Sequence, residues 1–261
     1  MSHRPERISA YVQLIVAPNP GPMTLDGTNT WIIGDPAAAA PVVVDPGPLA
    51  EAHLATILAA CGDRVAAVVL THRHHDHSAA AAELAERGGC GVRAADPAFQ
   101  RGPNGLVDSD VIRVGGAELG VYATPGHTSD SVSLVVTGED GVTRLLTGDM
   151  VLGRGTTVIT HPDGDLAAYF RSLAVLESVV VEQAILEICP GHGPRVHRPA
   201  EWLGYYRRHR VERLDQVRAA LDAGDRTATE VAERVYGDVD PALRPAAEQS
   251  VRAQLRYLAT C

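Results

Sequence analysis

The chain has 261 residues, 45% hydrophobic and 21% charged, enough for one large domain with a substantial core and a small one beside it. Its formal net charge is −9, which disfavours a generic binder of nucleic acid or of anionic membrane. All 23 basic residues are Arg, so no lysine nucleophile or Schiff base is available.

No apolar run reaches the length of about eighteen residues that a membrane span needs. Residues 1–7 lack the apolar stretch and small-residue cleavage site of a secretory signal. Cys61, Cys90, Cys189 and Cys261 show no Cys-x-x-Cys pairing and read as reduced thiols. Together these features predict a cytoplasmic protein.

In chain order, Ala10 to Val16 alternates and reads as a strand, followed by the turn Asn19-Pro20-Gly21-Pro22. Thr28 to Ile33 is a second strand, giving a hairpin whose tip carries Met23, Thr24, Leu25 and Asp26. Val42-Val43-Val44 is a short buried strand ending in Asp45-Pro46-Gly47, and Leu49 to Cys61 has helical spacing. Val65 to Leu70 is another buried strand, and Ala79 to Glu86 a helix.

Between that strand and helix lies Thr71-His72-Arg73-His74-His75-Asp76-His77-Ser78. Neutral imidazole and carboxylate are the ligand set for zinc or a similar divalent ion. His72 and His74 lie two apart, so extended backbone presents both on one face. Asp76 and His77 sit where the chain turns into the helix and can face a neighbouring point. One short segment can therefore serve two adjacent metals. His75, within the same segment, is expected on the exposed surface.

Cys90 to Ala95 reads as a strand and Asp96 to Asp110 as a polar loop. Leu119 to Thr124, Val132 to Thr137 and Thr143 to Leu146 are further strands. Asp163-Gly164-Asp165 starts a helix running to Val179, and Ala184 to Cys189 is the last strand. Three of these strands end in a His or Asp beside Gly: Gly126-His127-Thr128, Gly148-Asp149 and Gly191-His192-Gly193. Loops at strand ends are where binding groups gather, and the glycines let the backbone turn sharply there. Many short strands interleaved with helices predict a mixed α/β architecture.

Composition changes near Pro199, which predicts a large domain over 1–198 and a helical one over 199–261. Its helices are Glu201 to Ala223, Thr227 to Tyr236 with a capping box at Thr227 and Glu230, and Pro241 to Thr260. Arg207, Arg208, Arg210, Arg213 and Arg218 are diluted by Glu201, Glu212, Asp215 and Asp222, so this run reads as amphipathic helix surface. Tyr205, Tyr206 and Tyr236 read as packing residues, and His161 as solvent-facing. Glu230 and Glu233 offset Arg226 and Arg234, which speaks against a DNA-binding regulator.

His72-x-His74-x-Asp76-His77, then His127, Asp149 and His192 in this order, resemble the metallo-beta-lactamase fold superfamily, and Val42-Val43-Val44-Asp45-Pro46-Gly47 is similar to its first motif. The resemblance implies a four-layer αββα sandwich with a two-metal site along one edge. It implies that His72, His74 and His127 hold one ion, that Asp76, His77 and His192 hold the other, and that Asp149 bridges them. Asp45 would support the metal loop from behind. Asn19 to Thr30 and Gly148 to Val158, with His209-Arg210 and Val235-Tyr236, look like the beta-lactamase-like protein 2 branch, which carries a small winged-helix-like domain after the catalytic one. The sequence departs from that pattern by stopping at Cys261, just after the third helix, so a strand-paired wing is expected to be short or missing.

That resemblance implies a hydrolase with two Zn2+ ions, although His and Asp accept iron or manganese equally well. A bridging water acidified toward neutrality would attack, with Asp76 orienting it or accepting its proton. The expected substrate is a small-molecule carboxylic ester, lactone or thioester. Single-stranded RNA cleavage and weak beta-lactamase activity are the alternatives the resemblance leaves open, and the acidic balance weighs against RNA. The C-terminal helices are expected to shape the cleft or to join two protomers as a homodimer.

Overall fold

Short strands that are buried at every position, such as residues 29–33 and 42–44, force the chain into sheets with both faces covered. The computed structural model describes residues 4–260, so the reading of Cys261, and that of the first three residues, falls outside the described residues. One sheet has six strands in chain order: β1 (Glu6–Arg7), β2 (Val12–Val16), β3 (Asn29–Ile33), β4 (Val42–Val44), β5 (Ala67–Val69) and β6 (Val92–Arg93). Its first four strands pair antiparallel, β2 and β3 as a hairpin with Leu14 opposite Trp31, and β4, β5 and β6 pair parallel.

The second sheet has the order β11, β10, β9, β8, β7, made of β7 (Val111–Val114), β8 (Ala117–Ala123), β9 (Val132–Gly138), β10 (Thr143–Gly148) and β11 (Glu187–Pro190). Only β10 and β11 pair parallel in it; the other neighbours are antiparallel. The strands β1 and β7 are absent from the sequence reading. Glu6 and Arg7 are exposed and carry no hydrophobic signal, and β7 is an edge strand whose alternate residues face solvent.

Three apolar layers account for the stacking. Leu14, Trp31, Ile33, Val42, Val44 and Val69 of the first sheet meet Leu119, Val121, Leu134, Val136 and Leu146 of the second. The opposite face of the first sheet, Ile15, Ile32, Val43 and Val68, packs on helices α1 (Glu51–Ala60) and α3 (Ala81–Gly88). The opposite face of the second, Val135, Leu145 and Ile188, packs on α4 (Leu166–Glu182) and α5 (Pro199–Asp222). This is the four-layer αββα sandwich expected. A separate cluster of Val217, Ala220, Val231 and Val251 joins the end of α5 to α6 (Ala228–Val235) and α7 (Arg244–Leu258). The capping box at Thr227 and Glu230 is formed. Among the described residues no strand follows β11, and no helix is long and apolar enough to cross a membrane.

The single helix expected after the His-rich segment is two. A four-residue α2 (His75–Ser78) begins inside the segment itself, and α3 follows it.

The sheets meet at one edge, where Val132 N donates to Thr71 O at 2.8 Å and Asn29 N to Gly191 O at 2.7 Å. Gly126 lies on this edge at φ +146°, and a Cβ there would strike the backbone of Tyr169. Gly126→Ala is expected to lower stability by about 2 kcal/mol or more, since neither strain nor clash can relax through a flexible side chain. Thermal unfolding of the variant checks this; an unchanged melting temperature would contradict it.

Candidate metal centre

All seven residues expected as ligands come together on the edge where β4, β5, β8, β10 and β11 end. His72 Nε2 lies 3.1 Å from His74 Nδ1, which lies 3.0 Å from His127 Nε2. Beside them, His77 Nε2 faces His192 Nε2 at 3.1 Å, and Asp76 Oδ2 is 3.1 Å from His192 Nε2. Asp149 stands between the two groups. Its Oδ2 is 3.7 Å from His127 Nε2 and 3.4 Å from His192 Nε2, and its Oδ1 is 3.5 Å from His77 Nε2.

The outer nitrogen of four rings is already engaged, which fixes what each ring offers inward. His127 Nδ1 donates to Val158 O at 2.7 Å, and His192 Nδ1 to Gly27 O at 3.1 Å. His77 Nδ1 donates to Asp45 Oδ2 at 2.9 Å. Thr71 Oγ1 gives its proton to Asp45 Oδ2 at 2.6 Å and so accepts from His72 Nδ1 at 3.1 Å. In each ring Nε2 is left pointing at the centre. The spacing of the inward nitrogens suits an ion ligated at roughly 2.0–2.1 Å, where tetrahedral geometry separates ligand atoms by about 3.3 Å.

Asp45 owes its reach to an uncommon backbone. It sits at φ 51°, in the left-handed region where Asp is one of the few tolerated side chains. From there its buried carboxylate accepts Thr71 N at 2.8 Å as well as Thr71 Oγ1 and His77 Nδ1. Asp45, His72 and His77 lie close enough to look like a third ligand group. The hydrogen bonds make Asp45 an organiser of the loop instead.

Electrostatics divide the imidazoles. Burial pushes His127 down to about 4, lowers His74, and with the neighbouring His77 holds His72 well below the ordinary histidine value. These three are neutral lone-pair donors. Burial opposes charge on His77 and His192 too, but there the carboxylates win. Asp149 and Asp45 raise His77 well above its usual value, and Asp149 and Asp76 raise His192 to about 9. Burial likewise favours a neutral Asp149, yet His192 and His77 hold it well below the carboxylate range. Without an ion, protons supply the positive charge that three carboxylates demand; a divalent cation would displace them.

Two observations test whether ions fit. Asp149 Oδ1 is buried and makes no hydrogen bond among the described residues, a cost that a cation would remove. Gly191 leaves open the space where a Cβ would come 2.5 Å from Asp149 Oδ1 and 2.8 Å from His77 Cε1. The donor set fits a divalent ion in each group.

Asp76 has a 30% exposed side chain, whereas those of His77 and His192 are fully buried, so the centre opens on the Asp76 side. Burial works to raise its pKa, but His192 and His77 prevail and keep it below the ordinary carboxylate value. His75 is exposed, as expected. His161 is not solvent-facing: it is half-buried, with its backbone N donating to Gln249 O at 3.4 Å. Tyr206 is fully buried and packs, while Tyr205 is 36% exposed and stacks on Trp202 at 5.0 Å.

Sequence reasoning missed Thr71, Gly27, Thr157 and Val158 as partners of the imidazoles. Gly27 and Val158 act through backbone carbonyls, which leave no side-chain signal. Thr157 Oγ1, 3.2 Å from His127 Nδ1, becomes visible only once the chain is folded.

A family profile described as the metallo-beta-lactamase superfamily matches residues 23–210, and one described as the beta-lactamase associated winged helix domain matches residues 227–260. A beta-lactamase-like protein 2 homolog of Caenorhabditis elegans is 32% identical over 97% of this chain and 85% of its own. A protein of Aspergillus chevalieri named atrochrysone carboxyl ACP thioesterase is 30% identical over 90% of this chain and 76% of its own. Among solved structures, a metallo-beta-lactamase family protein of Thermus thermophilus has the same fold, with a TM-score of 0.80 at 20% identity over 97% of this chain and 95% of that one.

Proposed function

This chain belongs to the metallo-beta-lactamase superfamily and is a hydrolase of it, and from that premise we propose that it cleaves a carboxylic ester, lactone or thioester at a centre of two divalent cations. One ion would be held by His72, His74 and His127 and the other by Asp76, His77 and His192, with Asp149 shared between them. The observation that carries this reading is Asp149: a buried carboxylate facing both imidazole groups with an oxygen that makes no hydrogen bond among the described residues. Zinc is the ion proposed.

The bound ions would polarise the acyl oxygen and acidify a water toward neutrality. The chain's own residues do the rest. Asp76, ionised and on the open side, would orient the attacking water and take its proton on the carboxylate. Thr71, Asp45, Gly27 and Val158 keep the imidazoles aimed inward and spare them any reorganisation during the reaction.

A thioester is favoured within this class because a relative over most of the chain is named as an ACP thioesterase. Phosphate backbones are disfavoured because four of the five arginines of α5 are engaged within the chain, Arg208 being the exposed exception. Arg207 pairs with Glu177, Arg218 with Asp215, Arg213 lies over the Tyr236 ring, and Arg210 is buried. In α6, Arg234 is paired with Asp225, which leaves little positive surface for DNA.

The test is a hydrolysis panel of acyl thioesters, lactones, a cephalosporin and labelled single-stranded RNA, with and without chelator. Thioester turnover that chelator abolishes and zinc restores is the expected result. Chelator-sensitive RNA cleavage with no acyl turnover would replace this reading with a nuclease.

A further inference from the structure

We infer that Arg210, on the C-terminal helix α5, is a positioning residue for His127, which makes that helix part of the metal centre. The inference rests on the reading of His127 as a ligand. His127 Nδ1 is held from outside by Val158 O at 2.7 Å and Thr157 Oγ1 at 3.2 Å. Both belong to the loop that follows Asp149, and that loop has no regular secondary structure from residue 154 to 160. It is fixed instead by polar contacts from helices. Arg210 donates an Nη2 proton to Thr157 O at 2.5 Å, and His209 Nε2 meets Thr156 Oγ1 at 3.1 Å. Further back along the loop, the Tyr206 hydroxyl accepts Leu152 N at 2.7 Å, and Trp202 Nε1 donates to Leu152 O at 2.8 Å.

Arg210 also braces the other side of His127. Its guanidinium carbon lies 5.1 Å from the centroid of the Tyr169 ring, and the Tyr169 backbone packs against Gly126, the residue before His127.

Energetics argue that this arginine is there to position and not to stabilise. It is 4% exposed, no carboxylate pairs with it among the described residues, and its Nε has no hydrogen-bond partner there. Burying an unpaired cation costs more than burying an apolar side chain of similar volume. What an apolar residue lacks is the planar donor that grips the Thr157 carbonyl.

Cobalt(II) binding, followed by absorption spectroscopy and equilibrium titration, tests the assignment on Arg210→Ala, Arg210→Lys and Thr157→Val. Arg210→Ala is expected to keep its circular dichroism spectrum, to weaken one of two cobalt sites by about 10–100-fold and to change that site's visible bands. Added guanidinium should restore the bands, and Arg210→Lys should recover only part of the affinity. Thr157→Val, which leaves the grip of Arg210 on the Thr157 carbonyl in place, should weaken the same site by a smaller factor, and Arg210→Lys carries the test if Arg210→Ala fails to fold. Two cobalt ions bound to Arg210→Ala with wild-type affinity and spectrum would overturn the positioning role while leaving the proposed centre intact. A wild-type protein that binds no cobalt would overturn both.

Discussion

Asp149→Ala is expected to bind one divalent cation where the wild type is expected to bind two, and to lose at least about 10²–10³-fold in kcat/KM, on the scale of losing a preorganised charge contact at a reacting centre. The size of the effect follows from position. Asp149 is a carboxylate that lies within 4 Å of imidazoles from both groups, reaching His127 on one side and His77 and His192 on the other. Removing it would deprive both proposed ions of a ligand and leave His77 and His192 without the carboxylate that most favours their charged forms. The fold should survive, because Asp149 Oδ1 makes no hydrogen bond among the described residues and the apolar layers lie elsewhere. Elemental analysis and far-ultraviolet circular dichroism check the two halves of the expectation. Two equivalents of metal in a folded Asp149→Ala protein would contradict the shared-ligand role.

The ligand-type residues were legible in the sequence for a physical reason. Each sits close to an apolar strand end or to a glycine that the turn requires, so pattern and chemistry coincide. The layers were legible too, because β2, β3, β8 and β9 alternate or run apolar in ways that only buried sheets explain. What could not be read lies in contacts between distant segments. Nothing in Val42-Val43-Val44-Asp45 announces that Asp45 will take a left-handed backbone and accept three hydrogen bonds. The arginine run of α5 reads as helix surface, and Arg207 and Arg218 behave so, but Arg210 points inward and is buried. Helical periodicity alone does not separate it from its neighbours, since the partner that selects it is a loop fifty-three residues earlier in the chain.

Asp45→Asn and Asp45→Ala separate support of the metal loop from simple burial. Asp45 satisfies three donors at once: Thr71 N at 2.8 Å, Thr71 Oγ1 at 2.6 Å and His77 Nδ1 at 2.9 Å. Alanine leaves all three without an acceptor in a site that water does not reach, at about 1–3 kcal/mol for each buried group. It also places an ordinary Cβ residue at φ 51°, where Asp and Asn are better tolerated. Asp45→Ala is therefore expected to lose several kcal/mol of stability, enough to threaten folding. Asn keeps the shape and the backbone preference but has one acceptor oxygen; with that oxygen on Thr71 N, its amide nitrogen replaces the oxygen to which both Thr71 Oγ1 and His77 Nδ1 donate. The folded Asp45→Asn protein should show the subtler loss. With His77 no longer held by Nδ1, the ion shared by Asp76, His77 and His192 is expected to bind about 10–100-fold more weakly, while the ion at His72, His74 and His127 is affected less. Isothermal titration of the metal-free variant with zinc reads this as two well-separated affinities where the wild type gives two closer ones. Equal weakening of both sites would mean that Asp45 acts on the loop as a whole through Thr71, and that its bond to His77 is incidental.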